Sequence, residues 1–337
     1  MKISASIYSN NDRSLENLIK DLDNYNIDMF HVDFNDKKID IKKVEDDIVE
    51  IRKISNKPID LHIISDTPNQ YSKFIIENKV EYVTYQLENI QEKLDFPISK
   101  KTKFGIAITS MTGINEFEKY KNDCDFILLM TTTPGESGGK FNNINFKKIR
   151  EFKKSYPSKK IHIDGGVNDE IAFILRIHGV KSVVSGSYLV NGDIAKSLLE
   201  LKSSISSSEI KINEFMLKRD ESPIVNEFSD INEVLSEIEK FDLGFACVEN
   251  SKKEFIGIIS MADIRKSLIN NINKFQNYNA KDILNKNPIV IYDDDDINKM
   301  LETTQNREFL ISFIPVLNKK NQIVGCVTFF NLINSES

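Results

Sequence analysis

Ile161-HIDGGVNDEIAFILRIHGVKSVVSG-Ser187 is the stretch that decides the fold. It begins with an apolar run of strand length, Ile161 to Asp164, followed by a glycine pair. A helix-period segment then begins at Asp169 and stops on Gly179, as a helix with a glycine C-cap does. A second apolar run, Val183 to Gly186, follows. This order of strand, loop, helix and strand is typical of a parallel sheet with crossover helices.

The same alternation extends towards the N-terminus. Helix-period segments begin at Ser14, Val44 and Phe146. Six further apolar runs of strand length lie between them: Ile3 to Ile7, Met29 to Phe34, Ile59 to Ile64, Val80 to Tyr85, Phe104 to Ile108, and Phe126 to Met130. Eight strands alternating with helices over about 200 residues favour an α/β fold of the (β/α)8 TIM-barrel type over an open doubly wound sheet.

A serine-rich segment, Lys202 to Glu209, interrupts this pattern and is typical of a linker. We therefore predict a barrel over residues 1–204 and a smaller α+β module over residues 205–337. The module contains two similar halves, about 210–270 and 271–337, because Ile256-GIISMADI aligns with Val324-GCVTFFNLI at a period near seventy residues. Such a tandem repeat predicts two units that bury a shared face.

Composition excludes several classes of protein. The net charge is −6 without a basic block, which argues against a nucleic-acid partner bound by phosphate neutralisation. The chain has no stretch of eighteen apolar residues and begins without the apolar run of a signal peptide, so we expect no membrane partner. The three cysteines lie far apart within apolar runs and are expected in the core of a reduced, cytoplasmic protein.

Ligand-type side chains occur at the ends of three predicted strands, where a parallel barrel carries its reactive groups. They are His31, Asp33, His62 and Asp164. Two imidazoles and two carboxylates converging on one barrel mouth would suit a divalent transition metal with open positions for a substrate. The alternative for any one of them is a buried polar residue with a hydrogen-bond partner. His162, expected in a deeper layer, and His178, in the last turn of a helix, are interpreted as structural.

Glycines follow the last three strands, at Gly138-Gly139, Gly165-Gly166 and Gly186-Ser187. In this fold, backbone N–H groups after strands seven and eight bind phosphate, and glycine permits a close approach. Any one of these pairs could be only a turn. Together they favour a phosphorylated substrate. A metal, two carboxylates and a phosphate site indicate proton transfer next to a carbonyl, which would epimerise that carbon.

Residues 1 to about 204 resemble ribulose-phosphate 3-epimerase. The matching segments are Ser6-Ile-Tyr-Ser9, His31-Val-Asp33, Asp60-Leu-His62, Met130 through Pro134-Gly135 to Gly138-Gly-Lys-Phe141, Ile163-Asp-Gly-Gly-Val167 and Ser185-Gly-Ser187. The resemblance implies an isomerase that binds one divalent ion, zinc, iron, manganese or cobalt, and a phosphorylated ketose.

The resemblance also implies roles for individual residues. Its four metal ligands fall on His31, Asp33, His62 and Asp164, and the acid/base pair falls on Asp33 and Asp164. Substrate contacts fall on residues from the strand ends and their loops: Ser6, Met130, Gly138, Gly139, Gly165, Gly166, Gly186 and Ser187.

Several positions depart from the family pattern. Asn35-Asp36-Lys37, Ile64, Gln86, Ser110-Met111 and Glu136-Ser137 replace family residues near the substrate. The chain therefore keeps the proposed catalytic and metal-binding residues but differs from the family in the residues that would line the substrate pocket. The substrate could accordingly be a pentose, tetrose or hexose phosphate, including a less common sugar phosphate of a surface-polysaccharide pathway. A non-catalytic sensor that binds a sugar phosphate and signals through the C-terminal repeat is the alternative.

The repeat resembles a pair of cystathionine-β-synthase-type (CBS) domains, notably in Gly257-IISMADIR and Ile314-Pro-Val316. The resemblance implies an adenine nucleotide as effector, with its ribose on Ser260 and Asp263. The second half has Thr328 but Asn331 in place of the aspartate, which favours one site over two. A pair that only dimerises is the alternative, and either way we expect a homo-oligomer, at least a dimer. The acids Asp293 to Asp296 suggest a cation site or, preferably, a solvated helix N-terminus.

Overall fold

The computed structural model describes residues 1–10, 12–135, 138–203, 209–270, 272–304 and 311–330. The chain divides into two compact units, Met1–Ser206 and Ser207–Ile333, apart from the last four residues. No helix among the described residues has both the length and the apolar character needed to cross a membrane.

The first unit is a closed barrel of eight parallel strands, in which β1 pairs with both β2 and β8. The strands are β1 Lys2–Ser6, β2 Met29–Asn35, β3 Ile59–Ile64, β4 Tyr82–Gln86, β5 Lys103–Thr109, β6 Phe126–Met130, β7 Lys160–Asp164 and β8 Ser182–Ser185. Each of the eight sequence-predicted strands is confirmed to within two residues at either end. The TIM-barrel prediction is confirmed.

Within the part of the barrel that the structure describes, the α-helices are α1 Leu15–Asn24, α2 Ile41–Ile54, α3 Ser72–Glu77, α4 Ile144–Ser155, α5 Asp169–Ile177, α6 Ser187–Val190 and α7 Ile194–Ser203. Several of these helices begin at an N-cap residue whose side chain accepts a backbone hydrogen bond. The Ser14 hydroxyl accepts the Asn17 N–H before α1, and Asn168 Oδ1 accepts the Ile171 N–H before α5. After β4 and β5 the chain forms 3-10 helices instead, Leu87–Asn89 and Ile114–Tyr120.

The barrel interior is layered, because alternate side chains of each strand point inward. Met29, Tyr82 and Phe126 pack together in a deep layer, and the ring of His162 stacks on Phe126 with centroids 4.1 Å apart. Burial lowers the pKa of His162 to about 4, so its imidazole is neutral near pH 7. His162 therefore lies in a deeper layer, as expected, while His178 is the buried C-cap residue of α5.

The second unit contains two small sheets with the strand orders β10-β11-β12 and β13-β14-β15-β9. Its strands are β9 Leu217–Lys218, β10 Ile224–Asn226, β11 Phe245–Glu249, β12 Phe255–Ser260, β13 Ile291–Tyr292, β14 Phe313–Leu317 and β15 Ile323–Thr328. Its helices are α8 Ile212–Phe215, α9 Ile231–Phe241, α10 Met261–Asn270, α11 Ala280–Ile283 and α12 Ile297–Thr304. Each half contributes a parallel strand pair followed by an antiparallel pair, β10-β11-β12 and β13-β14-β15, and β9 of the first half adds a fourth strand to the second sheet.

The two halves bury a shared face. Phe245 of the first half and Phe313 of the second stack in parallel with centroids 3.6 Å apart. Cys247 and Cys326 are buried in the same apolar cluster, and Cys124 is buried in the barrel, so the cysteines are core residues as predicted.

The acidic side chains at positions 293–296 make hydrogen bonds and an ion pair with nearby residues. Asp296 Oδ1 accepts the Lys299 N–H at 2.9 Å in the first turn of α12, and Asp295 Oδ2 accepts the Tyr292 N–H at 2.8 Å. Asp294 pairs with Lys319 across 2.7 Å. These contacts favour the helix-terminus interpretation over a cation site.

Candidate metal centre and active site

The four sequence-predicted metal ligands lie together at the carboxyl ends of β2, β3 and β7. His31, Asp33, His62 and Asp164 each offer one nitrogen or oxygen atom, and these atoms all lie within 4.8 Å of one another. The two imidazoles are fully buried, whereas the carboxyl groups are partly open to solvent. Among the described residues, no other group of three or more His, Cys, Asp or Glu side chains could hold a metal ion.

His31 is oriented by Asp60, its register partner on the neighbouring strand β3. Asp60 Oδ2 lies 2.9 Å from His31 Nδ1 and accepts the Ser4 hydroxyl at 3.0 Å. Because an ionised carboxylate only accepts hydrogen bonds, Nδ1 of His31 carries a proton. The other nitrogen, Nε2, faces Asp33 Oδ1 at 3.3 Å and Asp164 Oδ2 at 3.5 Å. The face that points towards these carboxylates is thus the one a metal would use.

The orienting role of Asp60 was missed in the sequence. The signal was present, because Asp60 precedes His62 by two residues and therefore shares its inward face. His62 has a different environment: Nδ1 lies 3.2 Å from Asp33 Oδ1, and Nε2 lies 2.8 Å from Gln86 Oε1.

The two central carboxyl groups differ in proton affinity. Burial alone would raise the pKa of Asp33, but His31 and His62 lower it well below its usual range. Burial raises the pKa of Asp164 to about 6, with His31 opposing and Asp33 adding to the effect. Burial would lower the pKa of His31, yet Asp33 and Asp60 hold it well above its ordinary value. Carboxylates with such different affinities suit an acid/base pair.

The donor set fits a divalent transition ion. Two imidazoles and two carboxylates are ligands that zinc, iron, manganese and cobalt all accept. Asp33, Asp60 and Asp164 place three carboxyl groups beside two imidazoles inside the barrel, so a cation would compensate buried negative charge.

The sequence-predicted substrate residues lie on the same rim of the barrel. Ser6 ends β1, is nearly buried and accepts the Ser9 hydroxyl at 3.0 Å. Met130 ends β6 and packs on Ala107 and Leu128 inside the barrel. The remaining predicted residues follow β6, β7 and β8: Gly138, Gly139, Gly165, Gly166, Gly186 and Ser187. Glu136 and Ser137 of the first of these loops lie outside the described residues.

The glycine pair after β7 permits a close contact between two loops. Gly165 and Gly166 have φ angles of 109° and 63°, in the region that favours glycine. A Cβ atom on Gly166 would lie 2.2 Å from the backbone nitrogen of Phe141 in the loop after β6. The glycine-containing loops after β6 and β7 therefore pack directly on each other.

We expect Gly166→Ala to lower the free energy of unfolding by roughly 1–3 kcal/mol, because it combines a positive φ with a backbone clash. The measurement is denaturant unfolding followed by circular dichroism. Gly192→Ala is the matched control, since a Cβ atom there meets nothing within 4 Å and the φ angle is ordinary. Equal stability of the two variants would contradict the packing described here.

Comparison with known proteins matches the two structural units of the chain to two different families. A model of the ribulose-phosphate 3 epimerase family matches residues 2–190, and CBS domain models match residues 212–270 and 280–336. The ribulose-phosphate 3-epimerase of Bacillus subtilis (strain 168) is 28% identical over 218 residues, which cover 60% of this chain and 99% of that protein. The ribulose-phosphate 3-epimerase of Aquifex aeolicus (strain VF5) is 30% identical over 167 residues, covering 47% of this chain and 75% of that protein.

Among solved structures, a CBS domain-containing protein of unknown function from Bacillus anthracis str. Ames Ancestor matches with a TM-score of 0.33 and 18% identity. The match covers 39% of this chain and 96% of that one. Since the epimerase family model spans more than half of the chain and includes the barrel strands, the chain belongs to the ribulose-phosphate 3 epimerase family, as an isomerase whose barrel is followed by a CBS domain pair.

Proposed function

We propose that this chain is a metal-dependent epimerase that inverts the carbon next to the carbonyl of a ketose phosphate, ribulose 5-phosphate, xylulose 5-phosphate or a related sugar phosphate. The observation that carries the proposal is the convergence of His31, Asp33, His62 and Asp164 within 4.8 Å at the barrel mouth. The pairing of Asp33 with Asp164 supplies two carboxyl groups for proton transfer on opposite faces of a substrate.

In the proposed mechanism, one of the two aspartates takes the proton from the carbon next to the carbonyl, and the electron pair of that C–H bond moves into an enediolate. The other aspartate, protonated, returns a proton to the opposite face. A bound divalent ion would supply positive charge beside the developing oxyanion. His31 and His62 stay in place, because Asp60 and Gln86 hold their outer nitrogens.

The phosphate group would be bound mainly by backbone N–H groups. Gly165 and Gly166 after β7 and Gly186 after β8 bring the backbone to the rim without side chains. The net charge of −6 and the lack of a basic block support this interpretation.

The test is a panel of pentose, tetrose and hexose ketose phosphates, each incubated with the full chain and zinc, iron, manganese or cobalt in D2O. We expect one substrate to take up deuterium at the carbon next to its carbonyl and to yield the epimer. A sugar phosphate that binds without either change would support the sensor alternative instead.

For the CBS pair we propose an adenine nucleotide as effector, bound around Ser260 and Asp263. The Ser260 hydroxyl donates to Asp263 Oδ2 at 2.6 Å, and the Ser260 N–H donates to the same atom at 2.9 Å. These contacts fix both polar side chains at the start of α10. Thr328 ends β15 in the second half, whereas Asn331 lies outside the described residues. Binding would shift the population of two states and so change turnover.

We expect Asp263→Asn in the full chain to weaken AMP, ADP or ATP binding at least tenfold, since hydrogen bonds to a charged group are worth about 1.5–3 kcal/mol. Isothermal titration calorimetry measures this. Asp282→Asn is the control, because Asp282 caps α11 in the same way, accepting the Asn279 N–H at 2.8 Å. No nucleotide binding by the unmodified chain, combined with a dimer in sedimentation, would support the alternative in which the pair only dimerises.

A further inference from the structure

A chain of hydrogen bonds leads from His62 to the loop after β5. His62 Nε2 lies 2.8 Å from Gln86 Oε1, and Gln86 Nε2 donates to Glu88 Oε2. The other oxygen of Glu88, Oε1, accepts the Thr109 N–H at 2.7 Å and also the Thr112 hydroxyl. Gln86 is 1% exposed and His62 is not exposed, so solvent does not replace the contact between them, whereas Glu88 lies at the surface.

The direction of every bond in this chain is fixed by its outer end. The Thr109 backbone N–H can only donate, and an ionised carboxylate can only accept. Glu88 must therefore receive a hydrogen bond from the Gln86 amide nitrogen, which turns the amide oxygen towards His62. An amide oxygen accepts only, so Nε2 of His62 must carry a proton, while Nδ1 lies 3.2 Å from Asp33 Oδ1.

The loop that anchors Glu88 is itself held firmly. Lys148 Nζ donates to the carbonyls of Thr109, Ser110 and Thr112 at 2.6–2.9 Å. Burial would raise the pKa of Glu88, but the hydrogen bonds from Thr109, Thr112 and Gln86 lower it, so the group is ionised near pH 7. The Asp60 carboxylate contacts His31 directly. The Glu88 carboxylate, by contrast, is linked to Nε2 of His62 only through the side-chain amide of Gln86.

We propose that Glu88 is a positioning residue for the metal centre: its carboxylate, acting through the Gln86 amide, keeps the proton of His62 on Nε2 and the lone pair of Nδ1 towards the metal position. This inference deepens the proposed function and rests on it for the role of the metal. The hydrogen bond from Nε2 of His62 to Gln86 does not depend on a metal.

Replacing Glu88 by glutamine is expected to reverse the direction of the hydrogen bonds between residue 88, Gln86 and His62. In Glu88→Gln, the side-chain oxygen still accepts the Thr109 N–H, and the new amide nitrogen faces Gln86. Gln86 must then turn its oxygen outward and its nitrogen towards His62, which moves the imidazole proton to Nδ1. The double variant Gln86→Glu/Glu88→Gln exchanges the two groups, so a carboxylate again accepts from Nε2 of His62.

The tautomer is read from long-range ¹H–¹⁵N correlation spectra of the full chain near pH 8.5, roughly two units above the ordinary pKa of imidazole. Only four histidines need assignment. We expect a protonated Nε2 of His62 in the unmodified chain and an Nε2 without a proton in Glu88→Gln. The double variant restores the first pattern. Glu116→Gln, which removes a carboxylate from a surface pair with Lys119, is the control.

Cobalt binding, followed by visible absorption, gives a second readout. We expect Glu88→Gln to weaken it by about 10–100-fold and the double variant to recover most of the loss. An unchanged His62 tautomer in Glu88→Gln, or an affinity that the double variant does not recover, would overturn the inference. The expected protonation of Nε2 in a chain that binds no ion at all would instead refute the proposed function and the role towards a metal, and leave only the orienting effect of Glu88 on His62.

Discussion

The Asp33→Asn variant is expected to lose uptake of solvent deuterium at the epimerised carbon by at least a factor of about 10² to 10⁴. Asp33 Oδ1 lies 3.3 Å from His31 Nε2 and 3.2 Å from His62 Nδ1, so the substitution removes the proposed proton acceptor and a proposed metal ligand. An amide of the same size neither takes up a proton nor carries the charge that the two imidazoles face. The measurement is ¹H NMR of the substrate in D2O with metal-supplemented protein.

Asp21→Asn is the control for this variant. Asp21 is a surface carboxylate on α1, paired with Arg13, and its loss should leave exchange unchanged. Normal deuterium uptake by Asp33→Asn would refute the mechanism with two aspartates.

The second large effect is expected for His31→Gln, which should reduce the bound ion from about one per chain to none. Glutamine at this position can still donate a hydrogen bond to Asp60, so the variant removes a proposed metal ligand without leaving that buried carboxylate unpaired. Metal analysis after dialysis measures the loss.

His162→Gln is the matched comparison for His31→Gln. His162 is an equally buried imidazole of the barrel interior, but it stacks on Phe126 in the deep layer. We expect it to keep its ion. Equal metal content of the two variants would contradict the assignment of His31 as a ligand.

The barrel could be predicted from the sequence because each strand is a short apolar run bounded by polar residues. Ile59 to Ile64 and Phe126 to Met130 match the observed strands to the residue. The four ligand-type residues could also be predicted to meet, since parallel strands of a closed barrel end on one rim. Helix starts were accurate where a cap marks them, as at Ser14.

The residues that orient the proposed metal ligands could not be predicted in the same way. Gln86 was recognised only as a departure from the family pattern, and Glu88 was not singled out. Their role depends on the 3-10 turn after β4, which brings Glu88 against Thr109 of the neighbouring strand. Such a contact depends on loop geometry that apolar periodicity does not encode. Nor do residue types alone reveal that Phe245 and Phe313 stack across the repeat.

The most direct test of the account is to titrate a divalent ion into the metal-stripped full chain while following solvent deuterium uptake by its ketose phosphate substrate. The account predicts that uptake is absent at the start, rises with the bound ion and saturates near one ion per chain. Uptake that is independent of the ion, or that stays absent from every ketose phosphate at full occupancy, would contradict it.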